Sequence, residues 1–163
     1  RMSDWLEAAQ RGDAEVVQRL LEAHANPDQT NAGGLTALHI AAQSGHLHVV
    51  GLLLDARVSV DQRNKGSTTA LMRASIHGHL AVVQRLLEAQ ASVDSVTDDG
   101  VTALTAASQN GFVEVARRLL EARATVHLPT AKPALALACQ NGNLGVVDVL
   151  LDAQADPDQA SSL

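Results

Sequence analysis

Aromatic residues are almost absent from this chain, which has one Trp, one Phe and no Tyr among 163 residues. Hydrophobic residues nevertheless make up 46% of the sequence, so Ala, Val and Leu must build the core. The single cysteine excludes an internal disulfide and is compatible with a reducing compartment. We therefore expect an intracellular, cytoplasmic protein.

Long apolar runs and basic stretches are missing as well. No apolar run approaches the length of a membrane span, and no secretory signal is visible. Nucleic-acid binding favours a basic stripe with interleaved aromatics, whereas this chain has a net charge of −6 and scattered arginines. The composition therefore predicts binding to neither membranes nor nucleic acids.

What the sequence does contain is a repeated motif. Thr-Ala-Leu-x-x-Ala recurs with a period of 33 residues, beginning at Thr36, Thr69 and Thr102. A glycine lies nine residues after each threonine, and related glycines upstream and downstream extend the pattern to five units. A fixed period of roughly 20 to 50 residues is the signature of a solenoid. Because no unit can bury its apolar face alone, the units must stack.

The unit that begins at Thr36 illustrates how each repeat should fold. Thr36 is placed to cap a first helix, whose apolar face includes Leu38 and which Gly45 should end. The Leu and Val residues of 47–54 give a second helix its buried stripe. The polar, turn-rich residues 61–66 predict a hairpin tip. Each unit therefore reads as helix, turn, helix and hairpin loop.

These motifs resemble those of the ankyrin-repeat family, whose 33-residue repeat carries Thr-Pro-Leu-His-x-Ala. The resemblance extends over residues 3–158. It implies an all-α ankyrin-repeat solenoid, made of stacked helix-turn-helix units that are joined by β-hairpin-like loops. We expect a single domain over residues 1–163. Its units are approximately 3–30, 31–63, 64–96, 97–129 and 130–163.

One departure from the family pattern concerns the residue after each second helix. The family usually has glycine there, and the resemblance implies a positive φ at this position. Without glycine, such a backbone conformation costs roughly 1 kcal/mol. The residues that occupy this position are His24, Arg57, Gln90, Arg123 and Gln154.

Candidate catalytic and metal-binding residues are few. The pairs His46-x-His48 and His77-x-His79 are poor chelates, because residues two apart on a helix point in different directions. Cys139 lies on an alanine-rich helix, where we expect it to be buried and inert. We therefore predict a protein that is not an enzyme, with no catalytic residues, no cofactor and no metal.

In ankyrin proteins, the hairpin tips and the exposed side of the first helices form a concave surface that binds protein partners. The resemblance implies such a non-catalytic interaction surface here. Its residues differ between units while the core letters repeat. Leu35, Ile76 and Val101 are expected to place exposed apolar side chains among polar ones, a mix suited to protein interfaces. We name the following residues the recognition face: Leu35, Gln43, Ser44, Lys65, Thr68, Ile76, His77, Asp98, Asp99, Val101, Gln109 and Asn110.

Several alternatives stay open at this point. The variable positions could be simply unconstrained, with Lys65 and Asp98 paired to each other. The regularity also fits an engineered or consensus-like scaffold. Residues 155–159 echo residues 25–29, which fits a fragment of a longer array that serves as a spacer as well as it fits a solvated natural end. The apolar end near Leu137 would allow end-to-end self-association of a protein that we otherwise expect to be a monomer.

Overall fold

The computed structural model describes residues 2–129 and 131–153, and these residues form ten α-helices and no β-strand. The prediction of an all-α fold is confirmed. The helices are α1 (Met2–Arg11), α2 (Ala14–Glu22), α3 (Ala37–Ser44), α4 (Leu47–Asp55), α5 (Ala70–Ile76), α6 (Leu80–Glu88), α7 (Ala103–Asn110), α8 (Val113–Glu121), α9 (Ala134–Gln140) and α10 (Leu144–Asp152).

The helices stack in two layers. The odd-numbered helices pack side by side in one layer, the even-numbered helices form the other, and each odd-numbered helix also packs on the next even-numbered one. The core between the layers contains Leu and Val side chains such as Val50 and Leu53, together with fully buried alanines such as Ala41. Small alanine side chains let the first helices approach closely, so this composition produces the predicted solenoid.

Threonine caps begin three of the first helices, as predicted. Thr36, Thr69 and Thr102 have extended backbones, with φ of −92°, −99° and −110°. Each hydroxyl accepts a hydrogen bond from the amide three residues later, at 3.1 to 3.4 Å. The fifth unit has Pro133 at this place and lacks a side-chain cap. These caps satisfy amides that the first helical turn leaves without a partner.

The loops end in hairpin-like tips. The amide of Asn64 donates to the carbonyl of Thr68 at 3.2 Å, and the Asn64 side chain accepts from the amides of Gly66 and Thr68. Residues 31–35 and 97–101 form equivalent tips, with closing bonds of 3.0 and 2.9 Å. The hairpin tip predicted at residues 61–66 is therefore present, but it closes at residues 64–68.

A ladder of aspartates joins neighbouring loops. Asp28, Asp61 and Asp94 each accept a hydrogen bond from the backbone amide 31 residues later, at 3.1, 2.8 and 2.8 Å. Hydrogen bonds to a charged acceptor are stronger than neutral ones. The ladder fixes the spacing of successive loops, and with it the spacing of their tips.

Each second helix from α2 to α8 ends at a non-glycine residue with a positive φ, as the resemblance implied. The values are 54° at His24, 58° at Arg57, 63° at Gln90 and 64° at Arg123. At Arg57 the backbone completes a Schellman motif, in which the amide of Val58 donates to the carbonyl of Leu53 at 3.4 Å. These residues adopt a left-handed conformation that glycine would adopt without strain.

Replacing Arg57 by glycine should therefore stabilise the protein. Relief of left-handed strain contributes about 1–2 kcal/mol, and the larger conformational entropy of glycine in the unfolded chain offsets about 0.4–1 kcal/mol of this gain. The neighbouring Ala56, whose φ is −76°, supplies the control, since Ala56→Gly should destabilise. Urea midpoints measure both effects. A lower midpoint for Arg57→Gly, at an unchanged slope, would contradict the assigned strain.

The C-terminal end of the described array differs from expectation in two respects. Leu137 is half-buried, and the exposed apolar side chains at this end are Leu144 (73% exposed) and Leu151 (46%). Cys139 is exposed, so the prediction of a buried cysteine is wrong. Its equivalents in earlier units, Ala42, Ser75 and Ser108, are buried, and a further helix pair follows each of them, whereas Ala153 alone of the described residues follows α10. The echo at 155–159 lies outside the described residues.

Candidate functional site

Half of the recognition face lies at the C-terminal ends of three neighbouring helices. Because α3, α5 and α7 pack side by side, their ends form one row. Ile76 is 37% exposed within this row, at a place where the units before and after carry glutamine. The residues in the row are Gln43, Ser44, Ile76, His77, Gln109 and Asn110.

The remaining half lies on the tips of the loops, and hydrogen bonds join these tips. The amide of Lys65 donates to the carbonyl of Gly33 at 3.0 Å, and the Ser67 hydroxyl donates to Asp98 at 2.7 Å. Among the described residues, Lys65 and Asp98 form no ion pair with each other. The tip residues of the recognition face are Leu35, Lys65, Thr68, Asp98, Asp99 and Val101.

Two of the three apolar side chains on the recognition face are less exposed than predicted. Leu35 and Val101 are half-buried. Both directly precede a buried threonine cap, and their amides bond to side chains of their own tips, Asn31 at 3.0 Å and Thr97 at 2.9 Å. The tip geometry holds them against the stack, so Ile76 is the exposed member of the three.

Two other residues of the recognition face have local roles. The ring of His77 donates from Nδ1 to the carbonyl of Arg73 at 2.9 Å, and the Asn110 side chain donates to the carbonyl of Ala106 at 2.8 Å. Each bond returns to the carbonyl four residues earlier in the chain, and the carbonyl of Arg73 also accepts from the amide of His77 at 3.3 Å. These contacts of His77 and Asn110 are therefore local to their own helices.

Arg73 belongs to this surface, although sequence reasoning missed it. It lies one turn before Ile76 and His77 on α5, and its guanidinium donates to the side chain of Gln43 in the preceding unit. The equivalent positions in units two, four and five hold apolar residues, Ile40, Ala106 and Leu137. A charged residue at a position that is apolar in these three units was the signal in the sequence that could have revealed Arg73.

The charge of Arg73 also acts on His39, which is 1% exposed. Burial lowers the pKa of His39, and the positive charge of Arg73 lowers it further. Nδ1 of His39 accepts from the amide of Thr36 at 3.2 Å, and Nε2 lies 3.1 Å from the carbonyl of Thr68, to which we assign a donated bond. His39 is therefore neutral and links two units through hydrogen bonds.

The pair His77-x-His79 does not lie within a helix, contrary to the prediction. His77 ends α5 and His79 precedes α6, so both lie in a turn, and their rings stack in parallel with centroids 6.1 Å apart. In the part of the chain that the structure describes, no three His, Cys, Asp or Glu side chains are grouped to hold a metal ion. Nor does this part contain a helix with the length and apolar character to cross a membrane.

Comparison with known proteins agrees with the geometry. No curated protein matches the chain at a significant level. A family model described as "Ankyrin repeats (3 copies)" matches residues 5–97 and again residues 83–161. Since these two matches together cover nearly the whole chain, and the helix pairs, caps and tips follow the same repeat, the protein belongs to the ankyrin-repeat family.

Proposed function

We propose that this protein is a non-catalytic interaction module that binds a protein partner through the recognition face. Ankyrin repeats generally serve as protein–protein interaction modules. The finer assignment, to these twelve residues, is carried by one observation. An exposed aliphatic side chain, Ile76, lies in a row of helix ends that is otherwise polar. Apolar side chains with polar surroundings are typical of the centre of an interface. An intracellular location stays a prediction.

The proposal is tested with peptides selected from a random display library on the immobilised protein. Replacing Ile76 and Val101 together by Asp should lower the affinity for a selected peptide by at least about tenfold, because central apolar residues carry much of the binding free energy. Since Val101 is half-buried, Ile76→Gln serves as a milder variant that copies Gln43 and Gln109. Calorimetry measures the affinities, and circular dichroism checks the fold.

The matched control lies on the opposite layer of helices. Arg85 pairs with Asp55 at 2.5 Å, and Arg118 pairs with Glu121 at 3.3 Å. Surface pairs of this kind contribute about 0–1 kcal/mol, so replacing both arginines by alanine should leave the fold intact. The peptide should bind this variant with nearly unchanged affinity. Equal losses from the two sets of replacements would contradict the proposal.

A further inference from the structure

Arg73 is a cation at a position where unit one carries Glu7 and units two, four and five carry apolar residues. Ile40, Ala106 and Leu137 occupy its position in other units, and Ile40 packs against the core. Arg73 is itself half-buried, and burial lowers the pKa of its guanidinium. Partial removal of a charge from water is unfavourable unless another group compensates it. An aliphatic residue would serve the stack better at this position.

The compensation of this charge is incomplete within the chain. One guanidinium nitrogen donates to the side chain of Gln43, whereas Nε is buried and has no hydrogen-bond partner. No carboxylate of the described residues lies within ion-pair distance of Arg73. On the other layer of helices, by contrast, Arg85 holds Asp55 at 2.5 Å. The side-chain partner that the structure gives the guanidinium is thus a neutral amide.

Arg73 lies next to residues of the recognition face, which places its guanidinium where a partner would bind. Residues three and four apart share one face of a helix, so Arg73 lies beside Ile76 and His77. Gln43, which orients the guanidinium, is also part of the recognition face. A cation that lacks a counterion and an exposed aliphatic side chain are therefore neighbours on the surface that we assign to a partner.

We propose that Arg73 binds a carboxylate of the protein partner, placed next to an apolar side chain that packs on Ile76. This inference rests on the proposed function and names the chemistry of the partner. A planar guanidinium binds carboxylates through two parallel hydrogen bonds, a geometry that a lysine does not offer. Polyanions are disfavoured, since the chain carries a net charge of −6 and the same face contains Asp98 and Asp99.

The test uses a display library of random peptides, selected in parallel on the wild-type protein and on Arg73→Ile. Selection on the wild type should enrich Asp or Glu close to an aliphatic residue, and selection on Arg73→Ile should lose the acidic preference. A synthetic peptide from the first selection should bind Arg73→Ile at least about tenfold more weakly, as for other half-buried charge pairs. Calorimetry measures both affinities.

Stability provides a second readout. Because Ile40 fills the same position in unit two, Arg73→Ile should raise the urea midpoint while it weakens binding. A loss of affinity in a more stable protein does not come from unfolding. A third readout exchanges the two charges, with Arg73→Glu in the protein and Lys in place of the acidic residue in the peptide. The Arg73→Glu variant should bind this Lys peptide more tightly than the original acidic peptide.

The outcomes separate the two proposals. Selected peptides that depend on Ile76 but have no acidic preference, or that bind Arg73→Ile unchanged, would overturn the carboxylate assignment alone. Selected peptides that are indifferent to Ile76 and Val101, or a library that yields no binder, would overturn the proposed function and this inference together. Binding of a single-stranded oligonucleotide that requires Arg73 would replace the carboxylate by a phosphate and contradict the proposal.

Discussion

Gly45→Ala is expected to lower the free energy of unfolding by about 2–4 kcal/mol. Gly45 ends α3 with a φ of 75°, a left-handed conformation that is strained for alanine. A Cβ atom there would lie 2.6 Å from Nδ1 of His79 in the next unit. That ring cannot move freely, since its Nε2 lies 2.9 Å from the carbonyl of Gln43, within hydrogen-bond distance. Urea denaturation measures the loss.

The chain offers a matched control for this replacement. Gly142 has a similar φ of 68°, and among the described residues no atom lies within 4 Å of the position of its Cβ. Gly142→Ala therefore introduces backbone strain without the contact with a neighbouring ring, and should cost about 1 kcal/mol. The difference between the two variants isolates the contact between units. Equal losses would mean that the ring of His79 contributes nothing to the effect.

His39→Ala should cost about 3 kcal/mol, through a cavity in the core and two lost hydrogen bonds. The variant leaves the buried amide of Thr36 without the ring nitrogen that accepts from it, and it removes the bond to the carbonyl of Thr68. His39→Thr is the control, because it copies Thr105, whose hydroxyl accepts from the amide of Thr102 at 2.7 Å. We expect His39→Thr to recover the cap and to lose the bond between units.

His39 also predicts a dependence of stability on pH. Burial holds its pKa in the folded protein below the ordinary value of 6.5, so the unfolded chain takes up this proton first. The contribution of neutral His39 is therefore complete above about pH 6.5 and decreases as the pH falls towards the lower pKa of the folded state.

The measurement compares wild type with His39→Thr. The difference in their free energy of unfolding should shrink by about 1 kcal/mol between about pH 7.5 and about pH 5.5. The comparison between variants cancels the titration of other groups. A difference that stays constant over this range would contradict the assignment of a buried, neutral His39.

The repeating part of this fold could be predicted because its causes are local. A threonine that caps a helix and the amide that it accepts from are three residues apart, as at Thr36 and Thr69. The glycine that ends a first helix is equally close in sequence to the turn that requires it, as at Gly45. The threonine recurs in three units and the glycine in five, and this recurrence makes such short-range signals reliable, so fold class and repeat frame follow from the sequence.

Tertiary structure decided which side chains are available to a partner. Arg73 meets Gln43 across 30 residues, and His39 meets Thr68 across 29. The half-burial of Val101 likewise depends on how its tip lies against the stack. Exposure and charge compensation arise from contacts between units, and a one-dimensional pattern does not record which residues of neighbouring units touch. The sequence therefore determined the stack, while the packing of one unit on the next decided the surface.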